Sequence, residues 1–225
     1  MCGRFNLTDS PEIEHFCETM RIELLEHHKG PDITPGSAIA IVHSSGNIRK
    51  ASLATWWLLL EDKTLLPNYR YASFNSRSDK LFTKGSASYI PFRKSRCIIP
   101  ASEFIEGLGD KKTYYKIELE QSAIAFGGVF KEYINRKTGE KIYSASIITC
   151  PPLTAAWKGI HPQSMPLMID ITNQELVNAW LDTSFYDVKK FESLFERKRT
   201  RRMKVTQIDR PSKCNPIAKS FIVEA

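Results

Sequence analysis

The second residue of the chain, Cys2, has the most unusual chemistry in the sequence. Once the initiator Met1 is removed, Cys2 bears an α-amine and a thiol on one residue. An α-amine has a pKa of about 7.7 to 8.0, against about 10.4 for lysine, so a useful fraction is unprotonated at neutral pH. Such an amine attacks aldehydes, and the thiol can then close onto the imine carbon to give a thiazolidine. The start of the chain therefore predicts capture of a carbonyl compound.

A nucleophile of this kind needs partners that give and take protons near neutral pH. Opening a cyclic sugar hemiacetal, losing water from a carbinolamine and closing the ring are all proton-transfer steps. Histidine performs them with its ordinary pKa, whereas a glutamate needs partial burial to raise its pKa. The candidates are His161, Glu103, Glu106 and Asn75, together with nearby arginines.

Glu103 and Glu106 lie in an apolar stretch, residues 98–107. If that stretch is extended, Phe104 and Glu106 share one face and Glu103 points to the other. A glutamate flanked by apolar residues is also typical of a surface edge, so a catalytic role and a structural role both stay open for Glu106.

His161 precedes Pro162, which restricts the histidine backbone to extended conformations and so fixes where the ring points. A loop histidine of this kind is either structural or catalytic. Asn75 and Arg77 lie in a polar segment that offers an amide to a sugar and a guanidinium to a phosphate. An Asx turn with a surface arginine is the alternative there.

Trp56 and Trp57 precede three leucines, a pattern that favours the protein core. The alternative is an exposed indole that stacks on an unpaired base.

Composition indicates one domain over residues 1–225, because no linker divides the chain. No apolar run is long enough for a membrane span and no secretory signal is recognisable, which favours a cytoplasmic protein. The five cysteines are scattered without a CxxC pair, so thiols are expected rather than disulfides or a metal site. No cofactor is expected, and the chain is expected to be a monomer.

The net charge of +7 and the pI near 9.1 suggest a polyanionic partner. The densest basic run, residues 197–204, is able to follow phosphates. A solvated turn between a helix and a strand is the first interpretation of that run.

The elements that must position these groups follow from the hydrophobic pattern. Ser10 and Pro11 predict the start of a helix whose apolar face is Ile13, Phe16, Cys17 and Met20. Strands are predicted at 38–42, 48–53, 113–119, 124–133, 141–149 and 205–208, and helices at 174–180 and 188–195. Strands that succeed one another without helical crossovers predict an α+β fold, mostly antiparallel and barrel-like, with helices outside. Residues 67–98 read as a functional loop.

Together these motifs resemble the SRAP (SOS-response-associated peptidase) family, the abasic-site processing proteins, in their bacterial type. The Met-Cys-Gly-Arg start of the family is matched by residues 1–4, its Asn-x-Arg-x-Glu by 75–79, its Arg-Cys-x-x-Pro segment and following glutamate by 96–106, and its Ile-His before Met-Pro by 160–166. The turn at Pro35 and the tryptophan Trp56 also resemble family segments.

The resemblance implies that Cys2 links covalently to the ring-opened aldehyde of an abasic site in single-stranded DNA. Asn75 then orients the N-terminal residue or the sugar, Glu106 shuttles protons and His161 assists ring opening. The resemblance also implies self-processing at Met1, β-elimination as an abasic-site lyase, and slow reversal of the crosslink.

The same resemblance places DNA contacts at Arg4, Arg77, Trp56 and Pro35. Here Gly107 stands where the family has tryptophan, and Asp79 stands for the family's glutamate. The segment 161–166 is one residue longer than the corresponding family segment and lacks the family's arginine, so altered contacts with DNA are expected.

Two other functions stay open at this stage. One is a glutamine amidotransferase of the N-terminal-nucleophile type, which uses the same amine and thiol on an amide carbonyl. The other is a non-catalytic single-strand binding module in which Cys2 is incidental.

Overall fold

The computed structural model describes residues 2–46, 48–152, 154–196 and 202–224. Its strands are β1 (Phe5–Leu7), β2 (Gly30–Ile33), β3 (Ala38–Ser45), β4 (Ile48–Thr55), β5 (Asn75–Arg77), β6 (Arg96–Ala101), β7 (Glu103–Gly107), β8 (Tyr114–Leu119), β9 (Ile124–Ile134), β10 (Lys141–Cys150), β11 (Met165–Pro166), β12 (Arg202–Ile208) and β13 (Phe221–Glu224). The helices are α1 (Pro11–Met20), α2 (Tyr89–Lys94), α3 (Ala155–Lys158), α4 (Gln174–Leu181) and α5 (Glu192–Glu196), with 3-10 turns at Glu26–His28, Ser78–Lys80 and Val188–Phe191. The predicted α+β class is confirmed.

Five strands close into a barrel. They follow the order β10, β4, β3, β6 and β9, and β9 pairs again with β10. Neighbours are antiparallel except β4 and β10, which run parallel. The short strand β5 also runs parallel to β10, with Asn75 opposite Ile147. This long-range pairing, and not the local sequence, fixes Asn75 beside the barrel.

The second sheet is antiparallel in the order β13, β12, β8, β7, β1 and β2. Only Ser102 separates β6 from β7, so the chain passes directly from the barrel into this sheet. The β1–β7 register sets Phe5 opposite Phe104, and Ile105 N–H donates to the Arg4 carbonyl at 2.9 Å. The first residues are therefore attached to the strand that contains Glu106.

Aromatic side chains from both sheets meet in one core. The Phe5 ring packs edge-on against Trp56 and Phe126, with centroids 5.0 and 5.9 Å apart. Phe104 stacks on Trp157 at 6.0 Å. Because burial of each such side chain stabilises the fold by about 1.5–3 kcal/mol, this core fixes β1 and β7 firmly.

Most of the predicted elements are present. The hairpin of β3 and β4 pairs from Ala38↔Thr55 to Ser45↔Ile48, and the predicted strands at 113–149 correspond to β8, β9 and β10. The α1 helix begins after Ser10, whose Oγ accepts from Ile13 N–H at 3.3 Å. Its predicted apolar face is buried except for Cys17, which is only partly buried. All five cysteines are free thiols, as predicted.

Several elements differ from the sequence prediction, and β2, β11 and α3 have no counterpart in it. The predicted helix at 188–195 is a 3-10 turn followed by α5, and the edge strand β13 has no counterpart in the prediction. Residues 67–98 are not one long loop, since they contain β5 and α2 and run into β6. In the basic run, residues 197–201 lie outside the described residues, and the remainder begins β12. No helix in the described ranges is long and apolar enough to cross a membrane.

Candidate active site

Asn75 connects β5 to the N-terminal segment. Its Nδ2 donates to the carbonyl oxygen of Cys2 at 2.7 Å, and Cys2 is fully buried. The Asn75 Oδ1 is also buried and has no hydrogen-bond partner among the described residues. A buried, unsatisfied acceptor costs stability. The amide therefore fixes the Cys2 backbone with one end and offers an acceptor to a hydroxyl group with the other.

Glu106 and Glu103 face opposite sides of β7, as predicted. Glu106 is 3% exposed, on the same face as the buried Phe104. Glu103 instead accepts from Asn6 Nδ2 at 2.6 Å and pairs with Lys116 Nζ at 3.0 Å. Glu103 is thus part of a structural network on the outer face of the sheet, and Glu106 is the carboxyl group on the Cys2 side.

Burial raises the pKa of Glu106 to about 7. A carboxyl group with this pKa accepts and donates a proton with equal ease near neutral pH. Burial, and secondarily the charge of Glu106, raises the pKa of the Cys2 thiol well above its ordinary value. The carboxyl group and the thiol therefore interact electrostatically, which couples their protonation states.

Glu106→Gln is expected to stabilise the protein at alkaline pH. An ordinary glutamate in the unfolded chain ionises near pH 4.3, whereas folded Glu106 holds its proton up to about pH 7. The wild type therefore loses stability between these two values, by up to about 4 kcal/mol. Glutamine carries no such penalty. Urea denaturation at pH 4.5 and pH 8 should show the advantage of the variant growing with pH.

Glu103→Gln is the matched control, because its carboxylate is paired with Lys116 at 3.0 Å. It should gain no stability between the two pH values. A pH-independent difference between Glu106→Gln and wild type would contradict the raised pKa of Glu106.

His161 is held against the end of β7. Its Nδ1 lies 2.6 Å from the Gly107 carbonyl oxygen and 3.7 Å from Glu106 Oε2. Because a carbonyl only accepts, Nδ1 carries the proton and Nε2 is the acceptor nitrogen of the neutral ring. Burial lowers the pKa of His161, which favours that neutral form. The ring is thus set up to accept a proton through Nε2.

The α3 helix positions His161. Thr154 Oγ1 accepts from Trp157 N–H at 3.1 Å and so caps this short helix. One turn later, His161 N–H donates to the Trp157 carbonyl at 2.9 Å. Since the Trp157 ring is stacked on Phe104, the histidine is attached to the same core as β7.

Packing against Tyr114 favours a glycine at position 107, directly after Glu106. A Cβ atom at Gly107 would lie 3.2 Å from two ring atoms of Tyr114, its cross-strand neighbour. A side chain at position 107 would therefore require the Tyr114 ring to move by a few tenths of an ångström, while the Gly107 carbonyl orients His161.

Arg4 and Arg77 are placed near this cluster but are both paired. Arg4 Nη1 lies 2.5 Å from Asp32 Oδ1. Arg77 is exposed, and its Nε and Nη2 donate to the two carboxylate oxygens of Asp79 at 2.9 and 3.0 Å. Arg77 and Asp79 border a cavity of about 460 Å³ whose other walls include Thr149, Gln163 and Ser164. That cavity lies beside the loop that contains His161.

Of the other two predicted DNA contacts, Pro35 lies in a partly exposed turn and Trp56 does not reach the surface. The turn is closed by Ser37 N–H donating to the Thr34 carbonyl, and Gly36 has a φ of +95° that favours glycine. Trp56 is 0% exposed, and its Nε1 donates to the Phe74 carbonyl at 2.9 Å. The core interpretation of Trp56 is correct, and stacking of its indole on a base is not compatible with this structure.

Two features of the site, and one pair of exposed aromatic residues outside it, were not predicted from the sequence. The Gly107 carbonyl and the Ser164 Oγ, which is buried without a partner among the described residues, carry no sequence signal. Tyr69 and Tyr71, which flank Arg70, are 73% and 60% exposed. The alternation of aromatic and basic residues at positions 69–71 is typical of single-strand binding and is recognisable in the sequence.

Fold and site define a barrel-containing α+β protein with a buried cysteine at its N-terminal end, next to an amide, a carboxyl group and an imidazole. Among the described residues, no group of three His, Cys, Asp or Glu side chains is placed to hold a metal ion. The family model for SOS response associated peptidase (SRAP) matches residues 1–211. The chain belongs to this family, which associates it with the SOS response and with DNA processing.

Solved structures share the fold. A Bordetella bronchiseptica protein is 17% identical with a TM-score of 0.70, over 92% of this chain and 99% of the other. A Bacteroides thetaiotaomicron protein is 22% identical with a TM-score of 0.62, over 89% and 84%. A phage-related protein of Bordetella bronchiseptica is 15% identical with a TM-score of 0.67, over 98% and 100%. No curated protein sequence matches the chain significantly.

Proposed function

We propose that the protein captures abasic sites in single-stranded DNA as a covalent thiazolidine at Cys2, once Met1 has been removed. One observation carries the proposal. In a chain of the SRAP family, Asn75, Glu106 and His161 come from three separate parts of the sequence and converge where Cys2 is held. This cluster contains the groups that aldehyde capture needs. Strand pairing, and not proximity in the sequence, brings these groups together.

The proposed reaction forms two bonds to one carbon. The Cys2 amine adds to the aldehyde carbon of the ring-opened sugar, and the resulting carbinolamine loses water to give an imine. The Cys2 sulfur then adds to the imine carbon, the thiol proton ends on nitrogen, and the thiazolidine closes. The net change is loss of one water molecule, with no oxidation or reduction.

Each neighbour has a role in this sequence. Glu106 takes a proton from the ammonium group and gives one to the departing hydroxyl, for which a pKa near 7 is suited. His161, accepting through Nε2, assists opening of the cyclic sugar. Asn75 orients the Cys2 residue and accepts from a sugar hydroxyl. The Glu106 carboxyl group is also proposed to support self-processing at Met1, the step that creates the Cys2 amine. The amine and the carboxyl group together are then proposed to support β-elimination at the abasic site and slow reversal of the crosslink.

The net charge of the protein and the positions of two arginines support DNA as the partner. The net charge is +7, and Arg4 and Arg77 lie two residues after Cys2 and Asn75 respectively. Both guanidiniums are proposed to bind phosphates, with Pro35 beside the strand. Such a protein acts in the cytoplasm, on nucleoid DNA.

The test is incubation with a single-stranded oligonucleotide that carries one abasic site, followed by denaturing electrophoresis. A protein–DNA band that survives denaturant, and that an oligonucleotide without the abasic site does not give, supports the proposal. Ammonia release from glutamine without such a band would favour the amidotransferase alternative. Binding to both oligonucleotides without a surviving band would favour a non-catalytic binding module.

Arg77→Ala is expected to flatten the salt dependence of binding to intact single-stranded DNA. Each phosphate neutralised on a single strand contributes about −0.7 to the slope of log affinity against log salt. Loss of one phosphate contact should therefore make the slope about 0.7 less steep, as measured by fluorescence anisotropy over a salt series. Arg136→Ala, in the exposed turn between β9 and β10, removes the same charge and should leave the slope unchanged. An unchanged slope in Arg77→Ala would remove Arg77 from the DNA contacts.

A further inference from the structure

The two arginines proposed to bind phosphates are both occupied by carboxylates. Arg4 is paired with Asp32, and Arg77 with Asp79. The two pairs are unrelated in sequence and belong to different sheets, since Asp32 lies on β2 of the second sheet and Arg77 on β5, which pairs with β10 of the barrel. The same arrangement thus arises twice, at two cationic side chains near Cys2.

Asp79 binds Arg77 in the way that a phosphate would. Two parallel N–H···O bonds of 2.9 and 3.0 Å join Nε and Nη2 to the two carboxylate oxygens. Arginine binds phosphate oxygens with the same fork geometry. The 3-10 turn Ser78–Lys80 holds Asp79 in place, and Thr83 Oγ1 donates to the Asp79 carbonyl. The carboxylate therefore occupies the guanidinium face that a phosphate needs.

Asp32 is held toward Arg4 by its backbone. It has a φ of +56°, a left-handed conformation that costs energy for most residues. Its N–H donates to Asn6 Oδ1 at 2.7 Å. Because Asn6 lies on β1, two residues after Arg4, the segment that begins with the arginine also fixes the carboxylate.

We propose that Asp32 and Asp79 compete with DNA phosphates for Arg4 and Arg77, and that this competition limits binding to undamaged single strands. This inference rests on the proposed function. A phosphate must displace each carboxylate and then lies close to a like charge. Non-covalent binding is thereby weakened equally for intact and damaged DNA. Only a strand that can react at Cys2 is retained, so the two aspartates act as specificity-determining residues.

The test measures affinity for a fluorescent single-stranded oligonucleotide that has no abasic site. Asp32→Asn and Asp79→Asn should each tighten binding by about two- to fivefold, the range expected for releasing an exposed ion pair. The double variant should gain about tenfold, because distant sites add. Asparagine is close in shape to aspartate and tolerates the left-handed conformation, so both variants are expected to keep the wild-type melting temperature.

The matched control is Asp187→Asn, which makes the same charge change at an exposed aspartate without an ion pair among the described residues. It should leave affinity unchanged. In an Arg77→Ala background, Asp79→Asn should no longer tighten binding, because nothing remains to be released. Asp79→Ala should act in the same direction as Asp79→Asn in the wild-type background.

Two results would overturn the inference. Weaker binding by Asp79→Asn would mean that Asp79 positions Arg77 for phosphate. An equal gain in affinity for Asp187→Asn, or a gain in affinity from Asp79→Asn that persists in the Arg77→Ala background, would mean that the change in net charge alone explains the tighter binding. Failure of the proposed function is distinguished by the wild type itself, which would then leave no denaturant-resistant band on abasic DNA.

Discussion

Replacing Cys2 by alanine is expected to abolish the denaturant-resistant link to abasic single-stranded DNA, with a loss of more than about a hundredfold in crosslink yield. Ring closure requires sulfur, whereas alanine leaves only the amine. The variant should therefore form at most an imine, which borohydride traps and which hydrolyses without it. Denaturing electrophoresis with and without reductant measures the difference, and mass spectrometry of the N-terminus establishes that Met1 has been removed in both proteins.

The control for this change is Cys17→Ala. Cys17 is a partly buried free thiol on α1, so its removal deletes a sulfur atom without touching the cluster around Cys2. It should crosslink like the wild type. A stable link formed by Cys2→Ala without reductant would contradict thiazolidine formation, and a wild-type chain that retains Met1 would leave no aminothiol to react.

Glu106→Gln is expected to slow crosslink formation or its reversal by about 10²- to 10⁴-fold, the usual contribution of a positioned acid–base group. Glutamine keeps the shape of the side chain but cannot exchange a proton. The wild-type rate should change with pH through about 7, where Glu106 titrates, and the variant should lose that inflection. His161→Ala should also slow the reaction. Neither change should weaken binding to intact single strands to the same extent.

Glu103→Gln separates this effect from a general loss of charge on β7. Glu103 is three residues earlier on the same strand and bonds to Asn6 and Lys116 on the outer face. Its replacement should leave the crosslinking rate and its pH profile unchanged. If Glu106→Gln loses affinity and rate equally, Glu106 has a structural role.

Elements with strong local patterns were predicted well from the sequence. The α1 helix has a serine cap and apolar residues at helical spacing, and the β3–β4 hairpin has alternating residues on both sides of a turn. The strands β5 and β13 were not predicted, for different reasons. Asn75, Ser76 and Arg77 are polar and form a strand only because β10 pairs with them. Phe221 and Ile222 of β13 are both exposed, so no alternation marks that strand.

In the site, too, the features set by local sequence were predictable and those set by long-range contacts were not. The opposite orientation of Glu103 and Glu106 follows from strand geometry and was predictable. The contact between Asn75 and Cys2 depends on the parallel pairing of β5, and the contact between His161 and Gly107 depends on α3 packing over β7. Neither is local, so no pattern in the sequence reveals it. The sequence favoured the core for Trp56 but left an exposed indole open, because only the tertiary fold shows what covers it.

The antiparallel register between β1 and β7 also restricts how this protein can evolve. Side chains on a strand alternate between faces, so inserting or deleting one residue between Phe104 and Glu106 would turn the acidic group outward into water. Such a one-residue shift in register would return the pKa of the Glu106 carboxyl group to that of an exposed glutamate, while much of the aromatic packing would be retained. We expect lineages to tolerate length changes in the exposed bend at Asp110–Lys112, beyond the end of β7, and to reject them inside the ladder.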